Sequence, residues 1–442
     1  MRERDGSEHR RHQRNIAPNR IDVVQRAASL GFRIDPADSE HDDQPGIDAV
    51  LADAATTAGS TVWFPDGTYN LLSGSARQPN AHIVLVKSGV NLEGQSRERT
   101  ILKSGFDDQG RNSVYGMLLQ GVHDVVIANL TVTSSWNRNY STDSRSNNPD
   151  AGGLTYSIAT SSAGHPTYNV TIDNVLVEKF RRMGVRIGAG SHDIVVTTSL
   201  ARNATDVGGG GAGYGFVIQG DKHKTAKTNP YLGRPDQDTY FVVLDGNRTD
   251  GPYIRHAVII QYWAHNNLVT RNTFEGTQLD AIDLHGEDEY ANEVSHNTVI
   301  ASQRAGIGLG NSGATHDKTG VDNWIHHNEL TGCAWGITVQ YGTERSTIEH
   351  NLIRDNTALA HPPVAGVILG NSSNSVLRNN RFVNNTVEGF SAIVLKDDRA
   401  MGDEAAGGPR NWTILGNSVI NSGTPLVDTS KLGSGNVVQP SW

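Results

Sequence analysis

One short phrase recurs along this chain of 442 residues and limits what it can fold into. It consists of two or three β-branched or apolar residues, a polar step, an asparagine and another apolar pair. It reads Val126-Ile127-Ala128-Asn129-Leu130, then Thr171-Ile172-Asp173-Asn174-Val175, and later Val243-Leu244-Asp245-Gly246-Asn247 and Leu268-Val269-Thr270-Arg271-Asn272. It continues through Asn297, Asn328, Asn351 and Asn380 and ends near Asn417. From Asn247 onward the steps run from 23 to 37 residues, whereas Asn129 to Asn174 takes 45 and Asn174 to Asn247 takes 73. A period of this length is the signature of a solenoid. Three short strands and three turns fill a little over twenty residues, so each step is one coil plus a loop. The long gaps call for insertions or further coils, one of them at Asp193-Ile194-Val195-Val196.

A second strand signal falls between the asparagines: Phe216-Val217-Ile218-Gln219, Val258-Ile259-Ile260-Gln261, Ile282-Asp283-Leu284-His285, Ile307-Gly308-Leu309-Gly310 and Ile337-Thr338-Val339-Gln340. First and third residues are large and apolar while the second and fourth vary, the alternation of a strand with one face in a core. The pattern predicts an all-β, right-handed parallel β-helix of ten or more coils with an N-terminal capping helix. Asparagine at one point per coil suits a left-handed turn position, and stacked coils would align these amides in a ladder.

Composition agrees. Glycine, 48 of 442 residues, is abundant enough for a turn-rich repeat. A net charge of -9 argues against a nucleic-acid partner, and no apolar run is long enough for a membrane span. The single cysteine, Cys333, reads as a small core residue. The boundaries expected are a basic or disordered leader over 1–20, a cap and first coil over 21–75, and the β-helix over 76–442, with loop insertions near 133–168 and 203–240. The leader has no apolar stretch of the kind a signal peptide needs.

The cap itself is legible. Ile47, Val50, Leu51 and Ala54 share a helical face within residues 47–56. Asp42 and Asp43 precede that helix and suit its positive end. A strand, Thr61-Val62-Trp63-Phe64, runs into the turn Pro65-Asp66-Gly67-Thr68-Tyr69, and Leu92-Glu93-Gly94 follows downstream. In these features the chain resembles the pectate-lyase-like β-helix superfamily of polysaccharide lyases, polygalacturonases, alginate epimerases, inulin fructotransferases and tailspikes. The resemblance spans the cap and the repeats. It implies carbohydrate work and secretion, but its motifs are structural, so no catalytic residue carries over from them. The paired-aspartate and Gly-His-Gly set of polygalacturonases is absent, as is the Asp-rich nonapeptide of calcium-binding β-rolls.

Function in such a solenoid belongs on an outward strip. The outward positions of the aligned strands are Arg186, Gln219, Gln261, Asp283, His285 and Gln340. The two insertions, which carry Trp136, Tyr140, Tyr231 and Tyr240, are candidates to wall that strip and stack on sugar rings. The densest polar run is Asp280-Ala281-Ile282-Asp283-Leu284-His285-Gly286-Glu287-Asp288-Glu289, with Arg255, His256, Gln261, Tyr262 and Trp263 in the coil before it. Asp283 and His285 interrupt two positions, which neighbouring coils fill with glycine, threonine, valine or isoleucine and with glycine, glutamine or lysine.

Three chemistries compete there. In a lyase, His285 or His256 takes the proton α to a uronate carboxylate and Arg186 or Arg255 holds the carboxylate. In a glycoside hydrolase or transferase, two of Asp280, Asp283 and Glu287 act as acid and base or nucleophile. Calcium on Glu287-Asp288-Glu289 is the third. Otherwise Asp288 and Glu289 solvate the outer face, and His326, His327 and His350, beside the turns, face solvent. The leading expectation is a polysaccharide lyase acting on an acidic glycan. The alternative from another class is a non-catalytic glycan-binding fibre, so the chain is expected to be a monomer or a homotrimer.

Overall fold

In the computed structural model, residues 19–74, 80–107, 113–221, 238–286, 288–310, 320–358, 364–401 and 405–439 are described. Among the described residues, three long sheets of 15, 12 and 12 strands run along the molecule, with one strand per coil except that Ala264–His265 adds a second strand of its coil to the first sheet. The chain visits them in a fixed order. Thr239–Asp245 lies in the first sheet, Arg248–Asp250 in the third and His256–Gln261 in the second, before Leu268–Thr270 returns to the first. Pairing between successive coils is parallel, as in Val243 with Leu268 and Val258 with Ile282. The molecule is therefore a parallel β-helix, and a continuous apolar core fills its axis, including Phe216, Val258, Ile282, Ile307 and Ile337.

The open end is covered as solenoid ends require. Helix α2, Gln44–Ala54, buries Ile47, Val50, Leu51 and Ala54. Asp42 Oδ1 accepts the Gln44 N–H at 3.1 Å, but Asp43 turns from the helix to accept the N–H groups of Asp35 and Asn70 at 2.7 and 2.8 Å. A shorter helix, α1, Val23–Ser29, is capped by Asp22, which accepts from Val24 N and Gln25 N at 3.0 Å. Before it, Asn19–Asp22 adds a strand to the first sheet, pairing with residues 60–63.

The asparagine ladder forms, but the left-handed turn residue is not the ladder asparagine. Asn297 Oδ1 accepts both the backbone N–H and the side-chain amide of Asn272, at 3.1 and 2.9 Å. Asn297 Nδ2 donates to Val269 O and to Asn328 Oδ1. The same arrangement links Asn247 to Asn272 and Asn351 to Asn380. Positive φ falls one residue earlier, at Gly246, Arg271, His296, His327 and His350. In the earlier coils Asn129 and Asn174 occupy that left-handed position themselves. Ile127, Ile172, Val196 and Leu244 are aligned by strand pairing, so Leu130 and Val175 stand where the ladder would be. A ladder amide must turn inward to reach the next coil. The left-handed residue beside it bends the chain and varies in identity, and where it is asparagine it can also bond along the axis, as Asn174 Nδ2 does to Asn129 Oδ1 at 3.0 Å. His327 and His350 do face solvent, whereas His326 is buried with Nε2 3.2 Å from Glu293.

Candidate active site

The second sheet carries the candidate site. Along its outer face Arg186, Val217, Ile259, Asp283 and Gly308 are in register on successive strands. Strict alternation would put Asp280 and His256 on the opposite side from Asp283. They join it because the next residue in each coil is small and core-facing: Ala257 and Ala281 are part of the apolar core, and a side chain on Gly306 would press on Leu330. Each strand therefore starts with two residues whose alternation is broken, and His256, Asp280 and Asp283 converge. Each offers one polar atom within 4.8 Å of the other two.

Asp283 is wholly buried. Its Oδ2 lies 2.8 Å from His285 Nδ1 and 3.6 Å from His256 Nδ1, while its Oδ1 has no hydrogen-bond partner among the described residues. Burial pushes this carboxyl up, but His285, His256 and Arg304 outweigh it and hold it below the usual carboxylate range. His285 is the outer member of the pair, with 22% of its side chain exposed. Asp280 is bound by Arg304 through two N–H···O bonds of 2.7 Å and also accepts the Ala305 N–H at 2.9 Å. Burial pushes the Asp280 carboxyl up. Three donors on its two oxygens require the carboxylate, so we read Asp280–Arg304 as a charged pair, with Asp280 holding the guanidinium above its ordinary range. A side chain at Gly308 would meet Asp280 Oδ2 at 2.7 Å, so glycine there makes room for the carboxylate.

Several sequence expectations change here. His256 cannot meet a substrate: it is 2% exposed, its Nδ1 is 2.9 Å from the Asp280 carbonyl oxygen, its ring packs edge-on against Tyr214, and burial pushes it down to about 3. Arg255 is spent on loops, since its Nη1 donates to the carbonyls of Ser144, Val207 and Gly208 at 2.6, 2.7 and 2.6 Å. Trp263 is 2% exposed, which removes it as a sugar platform, while Tyr262 beside it is half-buried. Gln219 and Gln261 lie on the strip but bond each other at 3.0 Å. Gln340 is buried to 8% exposure one strand beyond Leu309. Trp136 donates to Asp150 O and packs on Tyr140, which stacks on Tyr253, so these aromatics hold the insertion together. Tyr240 is one ring of an outer stack, His123–Tyr168–His192–Tyr240–His265–Tyr290, with spacings of 4.5 to 5.2 Å. Tyr231 and Glu287 lie outside the described residues.

The sequence reading missed Arg304. Its signal was there: it enters its strand one coil after Asp280 enters the equivalent one, just before Ala305-Gly306-Ile307. The two insertions do meet. Buried Asp206 accepts from Asn148 N at 3.1 Å and Asn147 Nδ2 at 2.9 Å, and with Arg255 it locks residues 144–148 against 206–208 beside the His256 row.

Calcium takes about six to eight oxygens, and of the acidic turn offered for it Glu287 lies outside the described residues. Glu289 is buried and accepts the Gly286 N–H at 3.0 Å, and Asp288 is 4% exposed, so neither solvates the outer face. The His256–Asp280–Asp283 cluster does not suit a metal, because both Asp280 oxygens are engaged by Arg304 and His256 Nδ1 faces a carbonyl. A cleft at the cap, lined by Arg20, Asp22, Arg26 and Asp53 among others, lies far from this chemistry. Among the described residues no helix is long and apolar enough to cross a membrane.

A sequence profile of the rhamnogalacturonase A/epimerase, pectate-lyase-like family matches residues 36–278, and one of right-handed β-helix regions matches 258–437. Among curated proteins no sequence matches the chain. Among solved structures, the A-module of the mannuronan C-5 epimerase AlgE4 of Azotobacter vinelandii is similar at a TM-score of 0.58 and 16% identity, covering 95% of this chain and all 100% of that one. The tailspike of E. coli bacteriophage HK620 is similar at 0.56 and 14%, covering 92% and 72%. A PL6 alginate lyase solved with a trisaccharide is similar at 0.52 and 12%, covering 95% and 88%. At these identities the likeness is one of fold.

Proposed function

The chain belongs to the rhamnogalacturonase A/epimerase, pectate-lyase-like family, and from that premise we propose a carbohydrate-active enzyme that cleaves an acidic, uronate-containing polysaccharide by β-elimination. One observation carries this reading: a wholly buried Asp283 bonded to Nδ1 of a partly exposed His285 on the outer face of the second sheet. A carboxylate so placed fixes the tautomer of an imidazole and stabilises its protonated form, the arrangement of an activated general base. With Nδ1 committed, Nε2 is the nitrogen that takes the proton from C5 of the uronate. The electron pair then forms the C4–C5 double bond and expels the glycosidic oxygen at C4.

The carbanion needs a cation on the uronate carboxylate. Arg304 sits one coil from Asp283, with Nε and Nη2 on Asp280 and 21% of its side chain exposed. Its Nη1 is the donor offered to substrate. A hydrolase using Asp280 and Asp283 is disfavoured by the same geometry. Both carboxylates are buried, one is neutralised by a guanidinium and the other is held by histidine, so neither can protonate a leaving group or reach an anomeric carbon. A polymer substrate implies action outside the cell.

The test is incubation with polygalacturonate, polymannuronate and polyguluronate in D2O. Growth of the ultraviolet absorbance of the unsaturated product is the expected result. Deuterium at C5 without chain cleavage would keep His285 as base and change the outcome to epimerisation. Reducing ends from a neutral glycan, or glycan binding with no turnover, overturns the proposal.

A further inference from the structure

We propose that Arg186 forms a second anion subsite, about three coils from the His285–Asp283 pair, that holds a carboxylate of the same acidic glycan. The inference rests on the glycan reading of the outer strip, though not on elimination as the reaction.

Arg186 lies in the strand Phe180–Ile187, in register with Val217, Ile259 and Asp283 on the three following strands. Three strand spacings place it roughly 14 Å along the axis from Asp283. Its surroundings are apolar. The outer cluster on this part of the sheet is Leu118, Tyr156, Ala159, Met183, Tyr214, Val217 and Ile259, with Tyr115 stacked on Tyr156 at 5.1 Å. A guanidinium in such a strip normally has a carboxylate, as Arg304 has Asp280 and Arg202 has Glu178. Among the described residues Arg186 makes no ion pair, and its buried Nε has no hydrogen-bond partner.

The strip is shaped for the guanidinium. It lies over the Tyr156 ring at 5.4 Å, a cation–π contact that leaves its N–H edge available. Two residues on, Gly188 is bare, and a side chain there would stand 3.2 Å from Cζ and 3.3 Å from Nη1. Arg186 is thus seated by packing rather than by a counter-ion, and a planar fork of donors matches a carboxylate in two bonds. A flat row of parallel strands supports an extended, unbranched chain along the axis. A uronate chain long enough to have its reacting sugar at His285 would place a second carboxylate at Arg186, so the solenoid rise acts as a ruler for substrate length.

The experiment measures binding in a His285→Ala background, so that turnover plays no part. Octasaccharides of galacturonate and of mannuronate are compared with the matching disaccharides by calorimetry. Adding Arg186→Leu should weaken octasaccharide affinity about tenfold or more, the scale of one charge-assisted contact, and leave the disaccharide unchanged. Arg186→Lys should restore part of the loss. Unfolding temperature guards against misfolding, and Arg186→Gln serves in place of the leucine variant if that one is unstable. Equal octasaccharide affinity with and without the guanidinium overturns the subsite, as does failure of the octasaccharides to bind the unsubstituted protein. If octasaccharides bind in an Arg186-dependent way while no uronate polymer is cleaved, the subsite stands and the elimination reading falls.

Discussion

Asp283 Oδ2 lies 2.8 Å from Nδ1 of His285, with the carboxylate wholly buried and the imidazole partly open to solvent. The burial is what gives the contact weight, because a charge pair shielded from water is stronger than one at the surface. His285→Ala removes the base, and Asp283→Asn replaces an acceptor that stabilises imidazolium with a neutral amide. Each should lower kcat on a uronate polymer by roughly 10²- to 10⁴-fold, the usual span for a general base. Rates of unsaturated-product formation measure this, and near-normal rates in both variants would remove the site assignment.

Asp280 and Arg304 share two 2.7 Å bonds in a site where the carboxylate is 1% exposed. Breaking one partner strands a buried charge, at a cost of about 3–5 kcal/mol, whereas removing both can be nearly neutral. Asp280→Asn and Arg304→Met should each unfold at clearly lower denaturant concentration. The double variant should recover much of the difference and yet stay inactive. A double variant as unstable as the sum of the singles would show that the two residues act independently.

What was legible in the sequence follows from how a solenoid folds. Each coil contacts chiefly its neighbours, so strand alternation and the spacing of Asn247, Asn272 and Asn297 project straight onto the structure. The outward pair Asp283 and His285 came from the same arithmetic. Asp280 and His256 could not be placed that way, because small residues at Ala257 and Ala281 break the period of two. The role of Arg255 depends on carbonyls at Ser144 and Val207, which lie far off in sequence and meet it only through the insertions. Helix α1 has only seven residues and buries two of them, Val23 and Ala27, too few for a periodic stripe.

His256 and His82 make the fold acid-sensitive. Burial pushes them down to about 3 and about 4, against an ordinary value near 6.5 in the unfolded chain. Between those folded values and about 6.5 the unfolded state binds more protons, so stability rises with pH through this window and is lost as pH falls. Asp283, held below its ordinary range, adds a loss only at still lower pH. Urea midpoints measured from pH 7 to pH 4 should fall steadily. His256→Asn keeps an N–H for the Asp280 carbonyl, so it should flatten part of that slope. An unchanged slope would mean that His256 protonates without cost.

The asparagine ladder predicts a cost larger than one hydrogen bond. Asn297 Oδ1 satisfies two donors of Asn272, and its Nδ2 serves Val269 O and Asn328 Oδ1, all buried. Asn297→Ala leaves the Asn272 backbone N–H and one of its two amide N–H groups without an acceptor inside the solenoid, where water has no ready access; the other amide N–H stays on Leu244 O. Each stranded buried group costs about 1–3 kcal/mol, so a total of several kcal/mol is expected. Asn379, one residue before a ladder position, takes the left-handed φ and is exposed. Asn379→Gly should therefore be nearly silent, since glycine tolerates that φ at little cost. Thermal unfolding of the two variants separates the roles: a ladder carries the fold if Asn297→Ala falls far below Asn379→Gly, and equal midpoints would reduce the stacked amides to decoration.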